Sequence, residues 1–204
     1  MTIQIPDLGP AFAHLPAAWR YAFWLSYAAW AAIELGIWSR DRARVKGERR
    51  DRGSMIGIAI GITLGLVVAF NAAWRGIGHI TAPPELLVGA GIILIWTGIA
   101  IRLWAVRTLG RYFRVTVTLQ DDHRLIDTGP YRHLSNPSYS GAMVTLFGVG
   151  LAMGNSVSLV AMVVFPTMGF AWRIRVEEES LKARFGQEFR DYREKRWALI
   201  PFIW

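Results

Sequence analysis

Residues 140–172 read SGAMVTLFGVGLAMGNSVSLVAMVVFPTMGFAW, an apolar stretch too long to be one membrane-crossing helix, for which about 20 residues suffice. Gly154-Asn155 in its middle is a turn dipeptide, so the stretch divides into two short spans packed as a hairpin. That division decides the fold, because it sets how many times the chain crosses a bilayer. Working outward toward the N-terminus, three more apolar runs appear: Tyr21–Trp38, Ser54–Trp74 and Glu85–Val106. A buried helix of a soluble protein can imitate one such run, but rarely five in 204 residues. The expectation is one all-α integral membrane domain over 1–204. It has five transmembrane helices at about 21–38, 54–74, 85–106, 138–153 and 156–173, with polar segments at 107–137 and 173–204.

Charge gives an orientation. Twenty of the 23 Lys and Arg residues fall in three segments: seven in 39–53, five in 107–135 and eight in 173–196. With five spans these segments share one face, which the positive-inside rule assigns to the cytoplasm. The N-terminus is then expected outside and the C-terminus inside. The start of the chain has Asp7 as its only charge before Arg20, so it lacks the basic n-region of a signal peptide, and the first run is expected to remain in place. The net charge of +8 reads as attraction to anionic lipid. The basic runs are not interleaved with exposed aromatics, which argues against a nucleic-acid partner. There is no cysteine, so disulfides, thiolate metal sites and cysteine nucleophiles are excluded. His123 and His133, ten residues apart without a regular carboxylate partner, are a poor signal for a metal site, and none is expected.

The polar segment before the hairpin contains TGPYRHLSNPSYSG, residues 128–141. Pro130 and Pro137 keep this backbone out of a helix until the fourth span, and Gly129 and Gly141 permit close approach. Upstream, Arg114–Leu119 alternates and is β-branched, which suggests an extended stretch. Non-helical backbone at membrane depth is tolerated where it lines a cavity, so the segment is expected to wrap a pocket. Tyr131 and Tyr139 could offer aromatic faces to a cation there; a proline-glycine loop with interfacial tyrosines is the plainer alternative.

The second polar cluster, AWRIRVEEESLKARFGQEFRDYREKRW (171–197), places Leu181, Phe185, Phe189 and Tyr192 at helical spacing and reads as an amphipathic helix, along the membrane or against the other loops. Arg173 and Glu177 share one face of it. Spacing alone gives an ion pair worth a few tenths of a kcal/mol; the position of Arg173 at the lip of an apolar span points instead to a cavity or a partner.

Taken together, HRLIDTGPYRHLSNPSYSG, the hairpin and RIRVEEESLKARFGQEFRDY resemble the isoprenylcysteine carboxyl methyltransferase family of integral membrane enzymes, over roughly 107–204. That family joins a histidine, a Gly-x-Tyr and an Arg-His-Pro-x-Tyr-x-Gly string to a Glu-Glu-x-x-Leu-x-x-x-Phe-Gly motif across two helices. The resemblance implies S-adenosylmethionine as cofactor, held by His123, Arg124, Leu125, Ile126, Tyr131, Asn136, Pro137, Ser138, Tyr139 and Glu177, with a further contact from near Thr116. It implies a catalytic role for Glu177 and for Arg173, the latter as the arginine that meets the substrate. The expected partners are the lipid bilayer and a lipophilic or prenylated substrate; no oligomeric state is implied. The chain departs from the family at Ser135-Asn136, where Arg-His is usual. Asparagine keeps a donor and an acceptor, and Arg132 is the nearest arginine in sequence.

The expected activity is methylation of a lipophilic carboxylate at the cytoplasmic face. A carboxylate is ionised at neutral pH and needs no general base. Methylation of a phospholipid amine is the rival, and would require Glu177 or Glu178 as proton acceptor. A small transporter or structural membrane protein is the alternative without catalysis.

Overall fold

The computed structural model describes residues 9–42, 53–113 and 124–200. Thr116, His123 and the expected extended stretch at 114–119 lie outside the described residues. Elsewhere the chain is helical: α1 Pro10–Ala13, α2 Ala17–Arg42, α3 Ser54–Trp74, α4 Pro84–Leu109, α5 Pro137–Ala152, α6 Ser156–Phe185 and α7 Gln187–Glu194, with short 3-10 turns at Gly110–Tyr112 and Gly129–Arg132. Among the described residues, three helices are long and apolar enough to cross a membrane: α3, α4 with the turn that follows it, and α6.

Local chemistry sets the boundaries. Pro84 opens α4 and Pro137 opens α5, each in the first turn, where the missing N–H costs nothing. Asn155 caps α6 by accepting from the Ser158 backbone N–H at 2.6 Å, immediately after Gly154 has turned the chain at φ +69°. The hairpin between α5 and α6 therefore turns at Gly154-Asn155.

The C-terminal helix departs from expectation. No separate amphipathic helix spans 171–197; α6 runs unbroken through Arg173 and Glu177 to Phe185. Nothing between Pro166 and Gly186 interrupts helical hydrogen bonding, and Gly186, at φ +55°, is where the chain breaks before α7. A 30-residue helix is about 45 Å long, against about 30 Å of hydrocarbon, so the polar end of α6 has length to project beyond a bilayer. Phe189 of α7 is buried, and α7 packs inward on the polar segments.

Two helix pairs form the body of the protein, α4 with α5 and α3 with α6, and α5 also meets α6. Glycines bring α4 and α5 into backbone contact. A Cβ built on Gly141 would lie 2.6 Å from the Arg102 backbone nitrogen and 2.8 Å from the Gly98 carbonyl oxygen, so only glycine allows this approach. Helix α2 is held differently. Near its start, Trp24 stacks on Phe70 of α3 with ring centroids 6.1 Å apart, and Tyr27 meets the same ring edge-on. Toward its end α2 leans on α4 and separates from α3, leaving a wedge.

Candidate functional site

The wedge opens into a cavity of about 600 Å³. Its apolar side is made by α2 and α3, through residues such as Trp30, Leu35, Trp38, Ile58 and Ile62, with Leu146 and Phe170 behind them. Its polar side is made by the segment before α5 and by the ends of α6 and α7. Arg124, Leu125, Ile126, Tyr131, Asn136, Ser138, Tyr139 and Glu177 all line it. Pro137 is buried and serves as the first residue of α5.

At the centre, the Tyr139 hydroxyl donates to Glu177 Oε2 at 2.9 Å and accepts from Arg173 Nε at 3.1 Å. Arg173 Nη1 donates to Ser54 Oγ at 3.1 Å, and Nη2 lies 3.8 Å from Glu177 Oε1. The guanidinium is wholly buried and is not on the cavity wall. The family resemblance implies that Arg173 meets the substrate. A guanidinium inside an apolar bundle is stable only when its donors are satisfied, and here protein groups behind Tyr139 satisfy them.

The remaining polar wall is tied to the chain's C-terminal end. Tyr192 Oη donates to the Ile126 carbonyl at 3.0 Å, and Arg196 Nε donates to the Tyr131 carbonyl at 2.7 Å while its guanidinium lies 3.9 Å over the Tyr192 ring. Burial pushes the Tyr192 hydroxyl up to about 12, and burial followed by the nearby Glu177 charge raises Tyr131 well above its usual value. Both remain neutral donors at physiological pH.

Ser135 and Asn136, the departure from the family motif, also engage this end. The Ser135 backbone N–H donates to the Trp197 carbonyl at 2.9 Å, and Asn136 Nδ2 donates to the Ala198 carbonyl at 3.0 Å. Ala198 and Leu199 are buried as a result. Arg132 is exposed and does not line the cavity.

Two wall residues were missed in the sequence reading. Glu34 of α2 takes both Nε and Nη2 of Arg102 on α4, at 2.5 and 2.8 Å, and Arg102 Nη1 donates to Ser138 Oγ at 2.6 Å. The available signal was a lone charge in the interior of each of two apolar runs, which is costly in lipid unless it faces a partner or a cavity. The part played by residues 197–199 left no signal, because backbone carbonyls do the accepting.

The chain is similar to several known proteins. It is 35% identical over 115 residues to a probable protein-S-isoprenylcysteine O-methyltransferase of Oryza sativa subsp. indica, covering 55% of this chain and 60% of that protein. It is 36% identical over 121 residues to the protein-S-isoprenylcysteine O-methyltransferase of Saccharomyces cerevisiae, covering 58% of this chain and 51% of that one. The matches thus span between half and three-fifths of these relatives' lengths. Among solved structures, that of a eukaryotic intramembrane Ras methyltransferase, isoprenylcysteine carboxyl methyltransferase, aligns with a TM-score of 0.58 at 26% identity, over 71% of this chain and 52% of that one. The family model described as phospholipid methyltransferase matches residues 86–188, half of the chain and nearly all of α4 to α6, and the chain belongs to that family.

Proposed function

We propose that this protein is an S-adenosylmethionine-dependent methyltransferase that O-methylates the carboxylate of a lipophilic, isoprenylcysteine-like substrate. In this reading α2–α6 provide five membrane crossings, with the N-terminus outside and the cavity and C-terminus at the cytoplasmic face. One observation carries the proposal: a single cavity joins a polar, aromatic wall to an apolar wedge between helices. A water-soluble cofactor and a lipid chain could meet there.

The residues present suit the cofactor. The cavity falls within the roughly 300–1,000 Å³ of small-molecule sites. Its wall carries two tyrosine faces for a sulfonium and the Glu177 carboxylate to balance positive charge. Arg124–Ile126, Tyr131, Asn136–Tyr139 and Glu177 would hold it. When bound it supplies an electrophilic methyl group.

The chain's own task is then alignment and exclusion of water. Arg173 fixes the Tyr139 hydroxyl, and Tyr139 fixes Glu177, so the polar wall is set before ligands arrive. The acceptor carboxylate is ionised at neutral pH, so no side chain need remove a proton. The acceptor's hydrocarbon part would occupy the wedge lined by Trp30, Ile58 and Leu146. The named activities of the rice and yeast relatives support the same reaction.

The test is calorimetric titration of the detergent-purified protein with S-adenosylhomocysteine, followed by a methylation screen of prenylcysteine acids against lipid amines. Saturable binding, weakened in Glu177→Gln, with transfer to the acids is the expected result. Transfer to amines alone would move the assignment to a phospholipid amine. A folded sample without binding would end the methyltransferase reading.

A further inference from the structure

The Glu34–Arg102 pair sits where the two sides of the cavity join. Glu34 belongs to α2, the wall of the apolar wedge, and Arg102 to α4. Arg102 divides its donors between the two sides. Nε and Nη2 take both carboxylate oxygens of Glu34, whereas Nη1 takes the hydroxyl of Ser138 at 2.6 Å and its backbone carbonyl at 3.2 Å. Both side chains are largely buried, 13% and 28% exposed, so these bonds are shielded from water and salt.

Ser138 lies in the first turn of α5, next to Tyr139, whose hydroxyl stands between Arg173 and Glu177. A guanidinium is a rigid planar fork, so fixing one edge on Glu34 fixes the direction of the other. Arg102 thereby joins α2 directly to the first turn of α5.

We propose that Arg102, anchored by Glu34, is a positioning residue of the methyl-transfer site. It holds the first turn of α5 in the register that sets Tyr139 against Glu177, and it links the lipid-side helix to the cofactor side. The proposal rests on the methyltransferase reading above and adds to it a residue outside both sequence motifs.

A bond that only staples the fold would stabilise the protein without tuning the cofactor wall, and a double-mutant cycle separates the two roles. S-adenosylhomocysteine affinity is measured by calorimetry for wild type, Arg102→Lys, Ser138→Ala and the double variant, with thermal unfolding recorded for each. Lysine keeps the charge but loses the fork, so Arg102→Lys should weaken binding about tenfold, as expected for loss of a charge-assisted hydrogen bond. Ser138→Ala should weaken it less, and the double variant should bind no more weakly than Arg102→Lys alone. Additive losses, or a lowered unfolding midpoint with unchanged affinity in Arg102→Lys, would overturn the role. If Arg102→Lys does not yield folded protein, Glu34→Gln replaces it in the cycle under the same criteria. Wild type that does not bind at all would sink the methyltransferase reading and this role with it; wild type that binds, with an additive cycle, sinks only the role of Arg102.

Discussion

The α4–α5 interface and the α2–α3 wedge solve opposite problems with the same secondary structure. Between α4 and α5, Gly98 and Gly141 face each other so closely that backbone packs on backbone. Between α2 and α3, bulky rings meet near one end, through Trp24, Tyr27 and Phe70. Beyond those rings the helices diverge and the space between them is the cavity. In a bilayer, where apolar side chains gain nothing by leaving lipid for one another, close contact of small residues makes the rigid half. Large side chains meeting at one point make the open half. The polar wall is built on the rigid half, and a ligand chain can be admitted on the open one.

The comparison breaks most severely if the tight side is opened. Gly98→Leu would drive its side chain into the Gly141 carbonyl and Thr145, so destabilisation of about 3 kcal/mol is expected, seen as a lowered unfolding midpoint and loss of a monodisperse peak in detergent. The same substitution at Gly36, where nothing lies within 4 Å of a built Cβ, should cost no more than a few tenths of a kcal/mol.

Next in size is the polar wall. Glu177→Gln keeps an acceptor for Tyr139 but removes the charge, and should weaken S-adenosylhomocysteine binding by about tenfold or more with little change in unfolding. Equal loss of stability and affinity would mean that the rigid half cannot be separated from the site it carries. Filling the wedge should do the reverse. Ala59→Phe is expected to raise KM for a lipid substrate by about tenfold while leaving cofactor affinity within a factor of two, measured by steady-state kinetics and calorimetry. A matching loss of cofactor affinity would show that the two sides of the cavity do not bind their ligands independently.

The smallest effect concerns the tie from α7. The Tyr192 hydroxyl is pushed above its usual value, to about 12, so its folded-state pKa exceeds that of the unfolded chain, near 10. Its contribution is therefore complete below about pH 10 and is lost as pH rises toward 12. Wild type should exceed Tyr192→Phe in stability by about 1 kcal/mol at neutral pH, the worth of the bond to Ile126. That gap should close between pH 10 and 12 in pH-dependent unfolding. A gap that persists at pH 12 would place the stabilisation in the ring's packing rather than in the hydroxyl.

Sequence reading succeeded where the signal was local and failed where a partner came from afar. The turn at Gly154-Asn155 and the starts at Pro84 and Pro137 follow from residues adjacent in the chain, and the helices found there begin within a residue of those expected. Apolar spacing over 171–197 predicts one amphipathic helix, but Gly186, lying inside that pattern, breaks it between α6 and α7. The depth of Arg173 in an apolar run requires a partner but does not say which, and its partners include Tyr139, Glu177 and Ser54, the last 119 residues away.

By itself, then, the sequence determined the helical framework, its punctuation and the two motifs, because hydrophobic length, proline, glycine and capping act over a few residues. The tertiary structure alone decided that α2 and α3 diverge into a cavity and that Glu34 and Arg102 meet across 68 residues of chain. It also decided that Ser135 and Asn136 answer to backbone carbonyls at 197 and 198. Such pairings depend on how helices lean on one another, and a buried charge or a bare carbonyl finds its partner only once the chain has closed around it.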